Sequence, residues 1–255
     1  MNATISKIVD VTSDNVEDVG LFCIKNKQAA GYEQKLSWFQ KQYINGLRLK
    51  IAFDEQENQL AFIEYIPAEY SWRPIEAPDY FFVHCIVVYA KGARQKGVGS
   101  GLLIACEDDA IANGRKGICV MTSKESWMAD HTLFEKNGYR LAESRGRFDL
   151  MYKPIHNGTT KPHLLDWTKE HQAYEGWHLV YADQCPWHEK SVNDLQAEAE
   201  RQGIDLIVRR FADPSEARHG PTGYGTFGLL HDGKLLADHY ISRTRFKNIL
   251  KKELA

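Results

Sequence analysis

A short glycine-rich segment carries the clearest chemical pattern in this chain. It reads Arg94-Gln95-Lys96-Gly97-Val98-Gly99-Ser100-Gly101 and lies between an apolar stretch, 81–89, and a helical pattern over 102–113. Small residues between a strand and a helix let main-chain N–H groups approach an anion, which the positive end of the helix dipole also attracts. The spacing of the glycines fits neither the P-loop nor the dinucleotide pattern. The segment predicts a phosphate-binding turn, with an ordinary tight turn as the alternative.

A second pattern with chemical potential is Cys185-Pro186-Trp187-His188, at the start of a predicted helix. A helix N-terminus lowers the pKa of a thiol, and a histidine three residues later could pair with the thiolate. The alternative is a small residue near a helix start with no reactivity. Five other histidines lack the spacing of metal ligands, so we expect no metal: His131, His163, His171, His178 and His219.

Composition limits the class of protein. The chain has 255 residues, 43% of them hydrophobic, and a net charge of −2. Proteins that bind nucleic acid electrostatically usually carry an excess of basic residues, so this net charge does not favour that class. The longest apolar run, of about ten residues, is half the length that a membrane helix needs. The N-terminus lacks an apolar signal-peptide core, and the five cysteines are scattered. We therefore expect a cytoplasmic protein without nucleic-acid or membrane partners; the sequence does not indicate an oligomeric state.

The chain is predicted to contain two domains. Residues 1–154 form the first, 155–176 a polar linker and 177–255 the second. Hydrophobic periodicity in the first predicts the order β-α-α-β-β-β-α-β-α-β-β, including a helix that continues through Ile24 and another from about Trp127. The second predicts a strand, a helix, a strand, a hairpin about Asp232-Gly233 and a final helix.

The glycine-rich segment 94–101 and the order of the predicted elements resemble those of the GNAT acetyltransferase superfamily over about residues 3–153. Two further motifs resemble those of a two-domain family in which a YoaP-like, thioredoxin-like domain follows the GNAT domain: Leu133-Phe-Glu-Lys-Asn-Gly138 and Gln184-Cys-Pro186. The resemblance implies an α+β fold: a GNAT-type mixed sheet flanked by helices, followed by a smaller thioredoxin-like α/β domain.

The resemblance also implies a cosubstrate, acetyl-CoA, and roles for particular residues. Main-chain N–H groups of 95–100 would hold its pyrophosphate, with charge from Arg94 and Lys96, and the strand residues Ile86, Val87 and Val88 would pair with its pantetheine amides. His84 or Glu64 would be the general base, each with a packing role as the alternative. Phe134 would be a cofactor-binding residue, at the position where many GNAT domains carry a tyrosine that protonates the thiolate. The loop residues Tyr70, Trp72 and Arg73 would choose the acceptor or form a surface flap.

Two departures concern the second domain. His188 stands where thioredoxins have their resolving cysteine, and Gly225-Thr226 stands where they have a proline.

From the GNAT resemblance of the first domain, we expect an acetyl-CoA-dependent N-acyltransferase that acts on an unidentified small amine by direct transfer in a ternary complex. The alternatives are an acyl-CoA sensor without turnover and a thiol-dependent enzyme centred on Cys185.

Overall fold

The secondary structure follows the predicted order with three short additions, which the sequence analysis did not predict: two strands (Ile75–Glu76 and His163–Leu164) and a helix (Pro214–Arg218). The structure, a computed structural model, describes residues 4–89, 91–94, 96–125 and 128–254. The strands are β1 (Lys7–Val11), β2 (Arg48–Phe53), β3 (Gln59–Pro67), β4 (Ile75–Glu76), β5 (Tyr80–Val88), β6 (Gly117–Thr122), β7 (Arg140–Arg145), β8 (Phe148–Pro154), β9 (His163–Leu164), β10 (Trp177–Tyr181), β11 (Leu206–Arg210), β12 (Phe227–His231) and β13 (Lys234–Ala237). The helices are α1 (Val16–Val19), α2 (Tyr32–Ile44), α3 (Val98–Ala112), α4 (His131–Lys136), α5 (Trp187–Arg201), α6 (Pro214–Arg218) and α7 (Arg243–Glu253).

Two compact units emerge from the contacts of the described residues. The first unit comprises Met1–Lys25, Gln40–Ser71 and Ile75–Leu164, and the second comprises Asn26–Phe39, Trp72–Pro74 and Leu165–Ala255. These units differ from the sequence-based division, because two short early segments contact the C-terminal part of the chain. Periodicity within a segment cannot reveal such long-range contacts.

The first unit is built on a mixed seven-stranded sheet in the order β1-β2-β3-β5-β6-β8-β7. Among the described pairings of this sheet, only β5–β6 is parallel, and α3 forms the crossover between these two strands. Apolar residues of α3 (Leu102, Leu103 and Cys106) are fully buried against the sheet, in one core with Ile63 and Phe81. This is the α+β arrangement, a mixed sheet with flanking helices, that the GNAT resemblance implies.

Two predicted helices of the first unit are shorter than expected. The helix α1 ends at Val19, because Gly20 adopts a φ of 87° and Phe22 a φ of 55°, both outside the right-handed helical region. Asp130 caps α4 by accepting a hydrogen bond from the Thr132 N–H, so α4 begins at His131 rather than near Trp127. Trp127 itself lies outside the described residues.

The second unit contains a four-stranded sheet in the order β11-β10-β12-β13. The β10–β11 pair is parallel and joined through α5, whereas β12 runs antiparallel to both β10 and β13. The predicted hairpin about Asp232-Gly233 is confirmed, with φ of 46° and 73° at these residues. Two helices, α5 and α7, pack against each other, and their buried side chains include Leu195 and Phe246.

Candidate active site

The N-terminus of α3 presents free main-chain donors. Gly97 occupies the N-cap position with a φ of 78°, no side chain caps the helix, and its first turn contains no acidic residue. The first N–H to bond within the helix is that of Gly101, which donates to the Gly97 carbonyl at 2.8 Å. The N–H groups of residues 98–100 precede it and have no intrahelical acceptor, so the helix end can bind an anion.

Residues of the predicted phosphate-binding turn differ in exposure. Arg94, Lys96 and Gly97 are exposed, Ser100 is half-buried, and Val98 and Gly99 are buried. Gln95 lies outside the described residues. A Cβ built on Gly97 would meet no other atom within 4 Å, whereas one on Gly99 would lie 3.2 Å from a Leu133 methyl group. Gly97 therefore borders open space, and Gly99 permits close packing of α3 on α4.

The strand β5 extends beyond its described pairing with β6 before this turn. Its described pairing with β6 ends at Val83 and Val120, yet β5 continues to Val88 and stays paired with β3 on its other side. The predicted cosubstrate-binding residues Ile86, Val87 and Val88 lie on this segment, and Val87 is exposed. An extended ligand that carries amides could hydrogen-bond to a strand edge of this kind.

The predicted base candidates His84 and Glu64 lie side by side on β5 and β3. The imidazole Nδ1 is 3.7 Å from Oε1 of Glu64, and the two side chains are 0% and 2% exposed. The register of β3 and β5 shifts by one residue here, so that His84 is the extra residue of a β-bulge. A bulge redirects a side chain relative to regular pairing, and the structure thereby brings together two residues that are twenty positions apart in sequence.

Phe134, predicted as a cofactor-binding residue, is fully buried in the core of the first unit. Its ring lies edge-on to that of Tyr139, with centroids 5.4 Å apart. The sequence did not point to its neighbour Asn137, whose Nδ2 donates to Ser100 Oγ at 3.0 Å and to the Leu133 carbonyl at 2.7 Å. Asn137 follows α4 in sequence, and nothing in its local pattern signals a contact with α3.

The predicted acceptor loop is divided in the structure. Tyr70 belongs to the first unit and is 44% exposed. Trp72 and Arg73 belong to the second unit and are only 1% and 3% exposed. Trp72 packs edge-on against Trp38, with ring centroids 5.8 Å apart. Only Tyr70 of the three therefore offers a substantial surface to a ligand.

In the second unit, Cys185 precedes α5 and is partly exposed, whereas His188 in the first turn is 1% exposed. His188 Nδ1 donates to the Ala182 carbonyl at 2.7 Å, because a carbonyl oxygen can only accept. Burial lowers the pKa of this imidazole to about 3. His188 is therefore neutral near pH 7, and this state does not favour the ion pair with a Cys185 thiolate suggested by the sequence.

Comparison with known proteins indicates which class of enzyme the chain is similar to. Along almost its whole length, the chain is similar to an N-acetyltransferase. The relative is the uncharacterized N-acetyltransferase YoaP of Bacillus subtilis, which is 28% identical over 248 residues, covering 95% of this chain and 97% of its own. No family model matches the chain.

Similar solved structures cover only part of the chain. A GNAT acetyltransferase from Staphylococcus aureus is 14% identical, with a TM-score of 0.44 over 59% of this chain and 99% of its own. The Escherichia coli acetyltransferase YhbS, solved in complex with CoA, is 11% identical, with a TM-score of 0.41 over 62% of this chain and 88% of its own.

Membrane-spanning helices and metal-binding clusters are both absent from the described ranges. No helix there has the length and apolar character needed to cross a bilayer. No group of three or more histidine, cysteine or acidic side chains there is arranged to hold a metal ion.

Proposed function

We propose that this chain is an acetyl-CoA-dependent N-acyltransferase that acts on a small amine by direct transfer in a ternary complex. The observation that carries the proposal is the uncapped N-terminus of α3, which comes after β5, a strand that extends beyond its described pairing with β6. The similarity to an N-acetyltransferase over 248 residues supports the same assignment.

The residues present fit the cosubstrate. The N–H groups of residues 98–100 would receive the pyrophosphate, and no acidic residue of the first turn opposes it. Exposed Arg94 and Lys96 would add positive charge, and the main chain of residues 86–88 would pair with the pantetheine amides. Phe134 would act only through packing, since it is fully buried and has no proton to donate.

Deprotonation of the amine is the chemical step that needs a protein group. His84 and Glu64 form a buried pair beside the part of β5 that extends beyond its described pairing with β6, and either could accept the ammonium proton, directly or through water. Direct attack on the thioester would then release the CoA thiolate. With a thiol pKa of about 8.5, this thiolate can leave without a protein acid.

We also propose that a GNAT domain (1–154) and a linker (155–176) precede a thioredoxin-like domain (177–255), whose compact unit also includes residues 26–39 and 72–74. The strand order β11-β10-β12-β13, with one parallel pair joined through α5, supports this proposal.

Among the predicted acceptor-loop residues Tyr70, Trp72 and Arg73, we propose that exposed Tyr70 contacts the amine substrate.

Binding of acetyl-CoA is tested by calorimetry with a pair of matched variants. Gly97 and Gly114 lie at the two ends of α3, both have positive φ, and both have open space at the Cβ position. We expect Gly97→Glu to abolish binding, because the carboxylate would occupy and repel the site of the anion. Gly114→Glu should keep the wild-type Kd. Equal affinity of both variants would contradict the proposed site.

Turnover is tested by an acceptor screen with acetyl-CoA across amino acids, polyamines and aminoglycosides. Chromatographic detection of CoA and mass detection of the acylated product avoid interference from the chain's own thiols. We expect one amine class to give both products in equal amounts. Tight binding of acetyl-CoA with no turnover on any acceptor would instead support the sensor.

A further inference from the structure

The second unit contains a cavity of about 370 Å³ on one face of its sheet. His178 and Val180 of β10 line it, together with the β11 residues paired with them in register, Ile207 and Arg209. Side chains alternate along a strand, so these four share one face and form the floor. Trp177 packs against α7 on the opposite face. The volume is within the range of about 300–1,000 Å³ that small-molecule sites occupy.

The lining above this floor is largely aromatic. Ala173 and Tyr174, which precede β10, line the cavity, as do Phe211 and Gly220, which follow β11. The rings of Tyr174 and His178 lie edge to face, with centroids 5.1 Å apart. Phe211 is buried and packs on Gly220, where a Cβ would lie 2.9 Å from its Cζ. Packing therefore holds these rings in place around the cavity.

The floor includes apolar surface that the fold leaves uncovered. Ile207 is 49% exposed, although it lies within β11 and is paired with His178. Removal of such a side chain from water is favourable, so the floor favours a ligand with an apolar body.

A single uncompensated carboxylate gives the lining a negative charge. Arg209 Nη2 donates to Glu216 Oε1 at 2.6 Å, so the charges of these two lining residues compensate each other. Glu170 also lines the cavity, and it forms no ion pair with any other residue that the structure describes. With the lining histidines neutral, Glu170 leaves the cavity with a net negative charge.

This carboxylate lies near the aromatic part of the lining. Burial raises the pKa of Tyr174, and the charges of Arg209 and Glu170 also act on its hydroxyl. The phenol is therefore neutral near pH 7, and Glu170 supplies the uncompensated charge beside it. A carboxylate next to aromatic rings attracts organic cations, because the charge and the faces of the rings both favour a positive group.

We propose that this cavity of the second unit is a binding site for a small organic cation with an apolar body. Glu170 attracts the positive charge, and the Tyr174 and Phe211 rings and the Ile207 side chain cover the body. The site is formed by residues of the second unit alone, and it is additional to the proposed acyl transfer.

Three small ions test the proposal on the intact chain. Benzyltrimethylammonium is a cation with an apolar ring, phenylmethanesulfonate is an anion with the same ring, and tetramethylammonium is a cation without a ring. None of them has a nitrogen that can be acylated, so none is an acceptor for acyl transfer. NMR titration follows the main-chain amides of Ala173, Ile207 and Gly220 in the cavity lining, with Ile86 on β5 as a reference for the proposed acetyl-CoA site.

We expect benzyltrimethylammonium to shift the amides of the three lining residues in a saturable way, with a Kd at least about tenfold below those of the other two ions. Equal affinity for the sulfonate would overturn the selectivity for positive charge. Equal affinity for tetramethylammonium would overturn the role of the apolar lining. The lack of a saturable shift at the lining residues, whether or not Ile86 responds, would overturn the site itself.

Two matched variants test the carboxylate. Glu170 and Glu175 are both exposed, and of the two only Glu170 lines the cavity. We expect Glu170→Gln to weaken binding of benzyltrimethylammonium about fivefold, the contribution of one exposed ion pair, and Glu175→Gln to keep the wild-type Kd. Equal Kd values for the two variants would remove Glu170 from the site. Because no step requires acetyl-CoA, the result is independent of the proposed acyl transfer.

Discussion

At the scale of single residues, the pair of His84 and Glu64 is the strongest candidate for proton transfer. Both side chains are almost fully buried, and buried polar groups are retained only where partners or function offset their desolvation. The bulge at His84 brings the imidazole to the Glu64 carboxylate. We therefore propose this pair as the proton acceptor, next to the part of β5 that extends beyond its described pairing with β6.

Substitution of this pair should affect turnover without affecting cosubstrate binding. For His84→Gln we expect turnover of the best acceptor to fall roughly 100- to 10,000-fold, the usual contribution of a general base. The Kd of acetyl-CoA should stay unchanged, because the anion-binding turn is intact. Steady-state kinetics and calorimetry measure the two quantities. Should both His84→Gln and Glu64→Gln keep wild-type turnover, solvent water would be the base.

At the scale of elements, α4 supports the N-terminal turn of α3. Leu133 packs against Gly99, and Asn137 donates a hydrogen bond to Ser100 Oγ. Since that oxygen accepts from Asn137, the Ser100 proton is free to point toward another acceptor, such as a bound phosphate. Asn137 thus acts as a positioning residue for the proposed anion site.

Asn137→Ala should weaken binding of acetyl-CoA about fivefold, the effect of one hydrogen bond worth about 1 kcal/mol. The matched control is Asn113→Ala, since Asn113 follows α3 and likewise donates to a carbonyl four residues earlier, at 2.7 Å. Calorimetry on both variants checks the prediction. A larger loss of affinity in Asn113→Ala would mean that helix ends in general, rather than the link to Ser100, control binding.

The helices α5 and α7 of the second unit are joined by one buried carboxylate. Glu198 on α5 accepts hydrogen bonds from Arg201, Gln202 and, on α7, Arg243. The hydrogen bond from Arg201 is the largest of the effects that hold the pKa of Glu198 far below its ordinary value of 4.5. The ionised carboxylate therefore stabilises the folded state.

The sign of the pH dependence follows from this lowered pKa. Stability from Glu198 is fully present above about pH 4.5 and is lost as the pH falls toward the folded-state pKa. We expect Glu198→Gln to lower the free energy of unfolding at neutral pH, with a difference that shrinks below about pH 4. Urea titrations of both proteins at neutral pH and below about pH 4 measure this difference in the free energy of unfolding. The same loss in Glu200→Gln, an exposed carboxylate on α5, would argue against a specific role.

At the scale of the whole molecule, the compact units do not follow the order of the sequence. Residues 26–39 and 72–74 belong with the C-terminal part of the chain, although they lie within the predicted first domain. They include the large buried side chains Trp38, Phe39 and Trp72, which are 4%, 0% and 1% exposed. A cut at the predicted linker would therefore separate these side chains from their unit.

We expect a fragment of residues 1–154 to bind a hydrophobic dye and to melt below the intact chain. Each large apolar side chain that loses its burial costs roughly 1.5–3 kcal/mol. Calorimetry and dye fluorescence compare the fragment with the whole chain. A monomeric fragment with the melting temperature of the intact chain and no dye binding would show that these side chains need no residue beyond 154.

Local patterns predicted the elements that form the proposed anion site, whereas contacts between residues distant in the sequence were not predicted. Gly97 at the start of α3 and the hairpin at Asp232-Gly233 follow from backbone preferences that act over a few residues. The end of α1 was missed because Leu21 and Ile24 continue the apolar pattern beyond Gly20. Asn137 was missed because its partner, Ser100, lies 37 residues earlier.

The amino-acid sequence by itself determined the order of strands and helices, the free N-terminus of α3 and the positions of the two chemical patterns. These features depend on local sterics and on hydrophobic periodicity, which are properties of short segments. Only the tertiary structure decided that Glu64 lies beside His84, that Arg73 lies beside Gln184, and that burial keeps His188 neutral. Charge, desolvation and long-range pairing depend on which distant segments meet, and a linear pattern does not contain that information.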